Sequence, residues 1–389
     1  MTTQATLERD RIVALDILYM VMELSNREWK VAFASPAGRR LHRSVKARDV
    51  PALLGEIAAA KKRLKLPADA RVLSIYEAGR DGFWIDRVLR LHGIDSMVVD
   101  SASIEVPRRA RRAKTDRLDL ASLMALLVRW IGGELKALRI VPVPDVETED
   151  LRQLSRAIER LKGERGQHTA RIGSLLIKEG LEPKAIGGST WARRVSELRM
   201  FDGKPLGRWL CHDLVLEGER LALVVEQLLH LQKQRDALVQ AGQTPVAAKA
   251  RQLMRLGAIG RESSFVFATE VLGWRTFANR CQLAGAVGLV PTPFRSGAMA
   301  REQGISKAGN RRMRTMMVEI AWCWLRYQPT SELALWWRRR FDKTNARLRK
   351  IGIVALARKL LVALWRFLEE GIVPAGAELK GTRRRERAA

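Results

Sequence analysis

Between residues 18 and 99 the apolar residues come in short runs broken by turn formers, and this pattern constrains the fold most. Tyr19 to Leu24 and Trp29 to Ala34 flank a polar Ser25-Asn26-Arg27-Glu28 turn and read as a hairpin. Pro36-Ala37-Gly38 turns the chain into a third strand, Arg39 to Val45. Over 49–65, Leu53, Leu54, Ile57, Ala58 and Leu64 recur at helical spacing, and the pattern stops at Pro67. Val72 to Tyr76 is a short apolar strand ending at Glu77. A Gly79 to Gly82 loop, a Phe83 to His92 helix and a Ser96 to Val99 strand follow. Hairpin strands followed by alternating helix and strand predict a mixed sheet in an α/β layer domain.

From Val146 to about Glu179 the pattern changes to one long polar helix, and Asp213 to Gln240 is a second, dense in leucine. The segment between them, Pro183 to Gly207, is rich in Gly and Pro. This predicts an antiparallel helical arm or coiled coil, with a plain helical bundle as the alternative. Residues 250–375 read as mostly short helices with glycine-rich joints, and Lys380 to Arg387 as a basic disordered tail. A chain of 389 residues exceeds one compact core. The expected division is a domain over 12–145, an arm over 146–248, a helical domain over 249–375 and a tail over 376–389.

Charge narrows the partners. The chain has 70 Lys and Arg against 42 Asp and Glu, a net charge of +28. Such an excess repels itself unless a polyanion neutralises it, so nucleic acid is the first partner to consider. An anionic membrane surface is disfavoured, because the cations are spread over several segments rather than one amphipathic helix. The longest apolar stretch, Leu120 to Ile131, is short and broken by Arg129, so no membrane span is expected. The N-terminus has no apolar run behind a basic start and does not read as a signal peptide. Cys211, Cys281 and Cys323 are far apart and lack CxxC spacing, which argues against a disulfide framework and fits a reducing cytosol. The five histidines form no HxxxH or HExxH pattern, which argues against a histidine metal site.

The densest local signal runs from Arg108 to Asp119. Arg108, Arg109, Arg111, Arg112, Lys114 and Arg117 would neutralise phosphates in a salt-dependent way. Thr115 can cap a helix that starts at Asp116. Asp116 and Asp119 are i and i+3, so both carboxylates share one helical face. They read either as a pair of divalent-cation ligands or as ion-pair partners of the arginines. Glu77 ends an apolar strand beside a glycine loop, where α/β sheets place functional groups. A further acid on the first strand would complete a set of hard oxygen ligands suited to Mg²⁺. The candidates are Glu23 and Asp16.

Three segments together resemble the DEDD transposases of bacterial insertion sequences, the family numbered 110. They are Tyr76-Glu77-Ala78-Gly79-Arg80-Asp81-Gly82-Phe83-Trp84, the run from Val99 through Asp119, and Gly304-Ile305-Ser306-Lys307-Ala308-Gly309-Asn310-Arg311. The likeness extends from about residue 18 to about 372. It implies an RNase H-like, RuvC-like N-terminal domain, a coiled-coil arm and a mainly helical C-terminal transposase domain. By the resemblance Glu77, Asp116 and Asp119 match three acids of a metal-binding tetrad. The first acid falls on Glu23 in Glu23-Leu24-Ser25-Asn26, followed by Val31-Ala32, with Glu in place of the family's Asp. Asp16 does not fit that spacing.

The resemblance further implies a serine nucleophile. Gly288-Leu289-Val290-Pro291 followed by Arg295-Ser296-Gly297 matches the serine segment and selects Ser296. Ser306 is the second candidate, although its place before Lys-Ala-Gly-Asn reads as a helix cap. A serine hydroxyl needs activation. An acid-bound Mg²⁺ (or Mn²⁺) brought near it would supply Lewis-acid help, and Arg295, Arg301, Lys307, Arg311, Arg312 and Arg314 would cradle phosphates. Implied partners are DNA at element ends and target, a structured guide RNA and further copies of the chain as a dimer or tetramer, in the bacterial cytoplasm at the nucleoid.

Two other segments have competing readings. Leu256-Gly257-Ala258-Ile259-Gly260 resembles a helix-hairpin-helix turn whose amides would hold a DNA phosphate, or it is an ordinary interhelical turn. Trp336 and Trp337, followed by Arg338-Arg339-Arg340, suit single-stranded contacts by stacking, or the tryptophans anchor a helix in the core. The leading functional expectation is a DNA recombinase that excises and inserts its own element. Alternatives are a Holliday-junction-type metal nuclease without serine chemistry, and a catalytically inactive nucleic-acid-binding remnant.

Overall fold

The computed structural model describes residues 16–79, 82–100, 116–296 and 299–380, with side chains except at 116–118 and 293–303. The chain divides into two compact units between Val143 and Pro144.

The first unit is built on a six-stranded sheet. Its strands are β1 (Ile17–Glu23), β2 (Glu28–Ala34), β3 (Arg40–Lys46), β4 (Arg71–Glu77), β5 (Asp95–Val99) and β6 (Ile140–Val141). Their spatial order is β3-β2-β1-β4-β5-β6. β1–β2 and β2–β3 pair antiparallel, β1–β4 and β4–β5 parallel, and β6 closes antiparallel to β5. β1 is buried along both faces up to Met22, which is why its sequence is a continuous apolar run without alternation. β3 lies at the edge and alternates exposed with half-buried residues.

Among the described residues three helices cover the sheet. They are α1 (Val50–Arg63), α2 (Trp84–Leu91) and α3 (Asp116–Ile131). Asp49 caps α1 by accepting from the Ala52 amide, and Lys61, Lys62 and Arg63 suit the negative end of its dipole. Leu53 and Ile57 of α1, with Ile85 and Leu89 of α2, pack on Leu18, Met20, Val72 and Tyr76. The opposite face, carrying Ile17, Tyr19, Val21, Leu73 and Ile75, is covered by Leu120, Leu123, Met124 and Leu127 of α3. The hairpin, the two parallel strands and all three helices lie where the sequence predicts them.

The second unit begins with α4 (Val146–Lys178), which packs antiparallel against α6 (Arg208–Ala241). The Gly/Pro-rich segment between them holds a short helix, α5 (Trp191–Glu197). Trp191 packs against Gly218, where a Cβ would stand 2.0 Å from the indole Cδ1. The remaining helices are α7 (Pro245–Leu253), α8 (Arg261–Phe267), which runs into a π-helical turn at Ala268–Leu272, α9 (Arg280–Val287), α10 (Arg311–Tyr327), α11 (Glu332–Phe341) and α12 (Ala346–Glu370).

Two features depart from the expected run of short helices. A hairpin of β7 (Pro291–Ser296) and β8 (Met299–Ile305) interrupts it, and α12 extends for 25 residues. Gly352 does not end α12. It gives α11 room, because a Cβ there would stand 2.5 Å from Phe341 Cγ and 2.8 Å from Trp337 Nε1. Leu356, Leu360, Leu361 and Leu364 then carry the buried stripe of α12 into the core, at the spacing of one helical face.

Candidate functional site

Glu23 and Glu77 end two adjacent parallel strands. The register pairs Met22 with Tyr76, so the two glutamates are level across β1 and β4. Neighbouring strands lie about 4.8 Å apart. Side chains two apart on a strand share a face. Val21 and Ile75 face α3, so Glu23 and Glu77 project to the side that α3 covers. Both are half-buried. Asp16 precedes β1 and is exposed. The level pair is therefore Glu23 with Glu77, and its geometry follows from strand pairing rather than from any local motif.

α3 begins at Asp116, and Asp119 lies one turn before Leu123 of the sheet-facing stripe, half-buried. The cations Arg108, Arg109, Arg111, Arg112 and Lys114, and the proposed cap Thr115, lie outside the described residues. Among the described residues no three His, Cys, Asp or Glu side chains come together as a metal-ion group; the Asp116 side chain is not among them. The available donors at this rim are carboxylate oxygens, the chemistry that hard divalent cations prefer.

Beneath the rim, Tyr76 is fully buried and its hydroxyl donates to the Gly82 carbonyl at 3.2 Å while accepting from the Asp86 amide. Burial raises the tyrosine pKa. These bonds tie the residues following β4 to the start of α2.

In the second unit Ser296 is the last residue of β7 and pairs with Met299 across the hairpin end. Arg295 and Arg301 lie on the paired strands of the same hairpin. Ser306 does not cap a helix. Lys307 and Gly309 both have positive φ and separate it from α10. Asn310 is the cap, accepting from the Met313 amide at 2.9 Å. Lys307 and Arg311 are exposed, whereas Arg312 and Arg314 turn inward. Arg314 donates to the carbonyls of Val287 and Ala308, and burial lowers its pKa. The helix-hairpin-helix candidate lies between α7 and α8, with Gly257 against Gln328. Its Gly257 amide already donates to the Glu378 carbonyl, and Lys380 donates to the Ile259 carbonyl. The basic segment beyond residue 380 lies outside the described residues.

Two buried carboxylates organise this unit, and neither is among the site residues that the sequence predicts. Glu270, on the π-helical turn, has a fully buried side chain. It accepts from Asn310 Nδ2 at 2.8 Å and Arg312 Nη1 at 2.6 Å, with Arg152 and Arg156 of α4 at 3.5 Å. Burial pushes its pKa up, but Asn310 and the three guanidinium groups outweigh that and hold it below its ordinary value. Glu217 of α6 is 2% exposed and binds His168 Nδ1 at 2.7 Å, Arg171 at 2.9 Å and Arg220 at 2.6 Å. Burial raises its pKa too, yet these three donors bring it down to about 2. Both were legible in principle. Glu270, the lone acid within Phe265-Val266-Phe267-Ala268-Thr269-Glu270-Val271-Leu272, is a charge at a core position and demands partners, and Glu217, three residues after Leu214 and four before Leu221, lies on the leucine face of its helix.

The fold and the acidic strand ends define a mixed-sheet α/β unit joined to a helical unit, in a strongly basic chain. Residues 250–334 match the family model described as "Transposase IS116/IS110/IS902 family". The chain is 39% identical to "Putative transposase y4rJ" of Sinorhizobium fredii over 95% of its own length and 96% of the relative's. It is 32% identical to "Putative transposase y4qE" of the same species over 65% of this chain and 58% of that one. A "Probable family 20 transposase" of Pseudomonas aeruginosa is 24% identical over 60% of this chain and 67% of its own. The chain belongs to the IS116/IS110/IS902 family of insertion-sequence transposases. It is accordingly a DNA transposase, and DNA is its partner. No helix among the described residues is long and apolar enough to cross a membrane.

Proposed function

We propose that this transposase cuts and joins DNA with a divalent cation at the acidic rim of the first unit and a serine nucleophile in the second. The observation that carries the metal reading is the level placement of Glu23 and Glu77 at the ends of adjacent parallel strands, on the face that α3 covers. The strand order β3-β2-β1-β4-β5, with an antiparallel hairpin followed by parallel strands, supports an RNase H-like assignment for this unit. Glu23, Glu77, Asp116 and Asp119 would hold Mg²⁺ or Mn²⁺, and the ion would supply Lewis-acid stabilisation of charge at phosphoryl oxygens. The chain's own part would be to bring Asp116 and Asp119 of α3 to the level pair Glu23 and Glu77. Glu23 carries one methylene more than the family's aspartate and reaches correspondingly further from β1.

Ser296 would attack a DNA phosphodiester through Oγ. The O–P bond forms, the P–O bond to the departing strand breaks, and the departing oxygen takes up a proton. Lys307, Arg311 and the hairpin arginines Arg295 and Arg301 would neutralise the phosphate. Strand transfer then returns the phosphoryl group to a DNA hydroxyl and frees the serine. A structured RNA from the element's non-coding end as guide, a dimer or tetramer, and a cytoplasmic, nucleoid-associated site of action complete the reading. They rest on the family resemblance and the charge of +28.

The test is cleavage and strand transfer on DNA carrying the element ends, with Mg²⁺, together with RNA that copurifies with the protein. Losing several kcal/mol of transition-state stabilisation lowers the rate at least about 100-fold. Glu77→Gln and Asp119→Asn should each show such a loss, and Ser296→Ala should leave no covalent protein–DNA species. Retained transfer in Ser296→Ala would favour a metal nuclease without serine chemistry. Full activity in both acid variants would dismiss the metal site.

A further inference from the structure

We propose that the joint between α11 and α12 is a docking surface for the phosphate backbone of duplex DNA. The proposal rests on the transposase identity for its choice of polyanion and adds a place on the molecule. Over residues 332–359 there are nine Lys or Arg against two acids, Glu332 and Asp342. Arg339, Arg340, Lys343, Arg347, Arg349 and Lys350 are all exposed. Among the described residues none of these six lies within ion-pair distance of a carboxylate. The ion pairs of α12 are at its other end, Glu369 with Lys249 and Glu370 with Arg366.

The helix itself makes this arrangement costly. The first turn of α12 contains no acidic residue, and Arg347, Arg349 and Lys350 crowd its positive end. The dipole of a 25-residue helix favours anions there, and cations raise the local potential further. A fold selected only for stability would place acids at this terminus. An external polyanion relieves the repulsion and gains from both the amide dipoles and the side chains.

The aromatic residues decide between duplex and single strand. Single-strand binders offer bare aromatic faces for bases to stack on. Here Trp337 is buried, and the ring of Trp336 is already used. Arg340 Cζ lies 5.5 Å and Lys359 Nζ 4.8 Å from its centroid. Phe341 meets the same ring at 5.9 Å. A stacking base would have to displace those cations. The aromatics therefore brace the basic side chains Arg340, Arg349 and Lys359. Along α12, Arg347 to Arg358 spans about 16 Å at 1.5 Å per residue, a length over which a duplex presents several phosphates.

The test measures the binding of full-length protein to a 30-base-pair DNA duplex of arbitrary sequence as a function of salt. The variant is Arg347→Gln/Arg349→Gln/Lys350→Gln. Each lost phosphate contact should make the slope of log affinity against log salt shallower by about 0.9, so a decrease of about 2 to 3 is expected. Arg193→Gln/Arg199→Gln/Lys204→Gln removes the same charge at side chains that have partners, and should leave the slope within about 1 of wild type. If both variants change the slope equally, or neither does, the docking surface is wrong. A slope change confined to duplex RNA, to single-stranded DNA or to anionic phosphatidylserine vesicles would overturn the choice of partner. Should the triple variant lose helical signal, Arg339→Gln/Lys343→Gln on the other side of the joint is measured against the same criteria. Cleavage of element ends is scored separately. Loss of duplex binding with cleavage-dead wild type breaks the catalytic reading alone, and unchanged binding in an active protein breaks this one alone.

Discussion

The hub around Glu270 and the joint between α11 and α12 are both rich in arginine, and they use it in opposite ways. At the hub Arg152, Arg156 and Arg312 converge on one buried carboxylate, and Arg312 also pairs with Glu159. These cations tie α4, the π-helical turn and α10 together. At the joint six cations, twice as many, pair with no acid among the described residues and face solvent. The net charge is therefore not a uniform coat. One part of the cationic complement is internal cement, and another part is left for a ligand. An arginine count alone cannot separate the two, whereas the placement of acids can.

The largest expected effect breaks the hub. Glu270→Ala would leave Arg152 and Arg312 facing each other without their carboxylate, and removing one partner of a buried ion pair costs about 3 to 5 kcal/mol. Urea unfolding should show a fall of that size in the second unit. Glu270→Gln keeps the shape and part of the hydrogen bonding and should cost less. A loss below about 1 kcal/mol in Glu270→Ala would mean that the cations there are as independent as those at the joint.

An intermediate effect comes from Glu217 in the α4–α6 pair. Its folded pKa, about 2, lies below its ordinary value of 4.5. A depressed carboxylate contributes stability that is fully present above its unfolded value and is lost as pH falls through the folded one. The difference in unfolding free energy between wild type and Glu217→Gln should be constant above about pH 5 and shrink between 4.5 and 2. A difference that stays flat across that window would show that His168, Arg171 and Arg220 do not hold the carboxylate in solution.

Much of the architecture was legible because it is local. The polar turn between Leu24 and Trp29 forces the first hairpin, and the helix expected to start at Asp116 is α3. Glu77 at the end of an apolar strand was visible in the same way. What the residues alone could not supply is the pairing of β1 with β4, a contact between segments about fifty residues apart, and this pairing places Glu23 beside Glu77 while leaving Asp16 outside. The β7–β8 hairpin was missed because Pro291, Pro293 and Gly304 read as loop punctuation, while a two-stranded ribbon tolerates them at its edges. Ser306 before Lys-Ala-Gly-Asn has the composition of a helix cap, but the positive φ of Lys307 and Gly309 moves the helix start to Asn310.

The smallest expected effect is also the sharpest discriminator. Exposed substitutions away from caps and cores usually change stability by less than about 0.5 kcal/mol. Arg347→Gln/Arg349→Gln/Lys350→Gln should be slightly more stable than wild type at low salt, because removing three cations from the positive end of α12 outweighs the lost contact of Arg349 with the Trp337 ring. Near a helix terminus each unfavourable charge is worth about 0.3 to 1 kcal/mol at low salt, and the gain should fade as salt is added. Thermal unfolding without nucleic acid at low and high salt measures this directly. A clear loss of stability would show that these residues hold the fold together as the hub arginines do. A gain at low salt, set beside weaker duplex binding, would show the helix bearing a folding cost that the polyanion offsets, and no change would show that the cations carry no such cost.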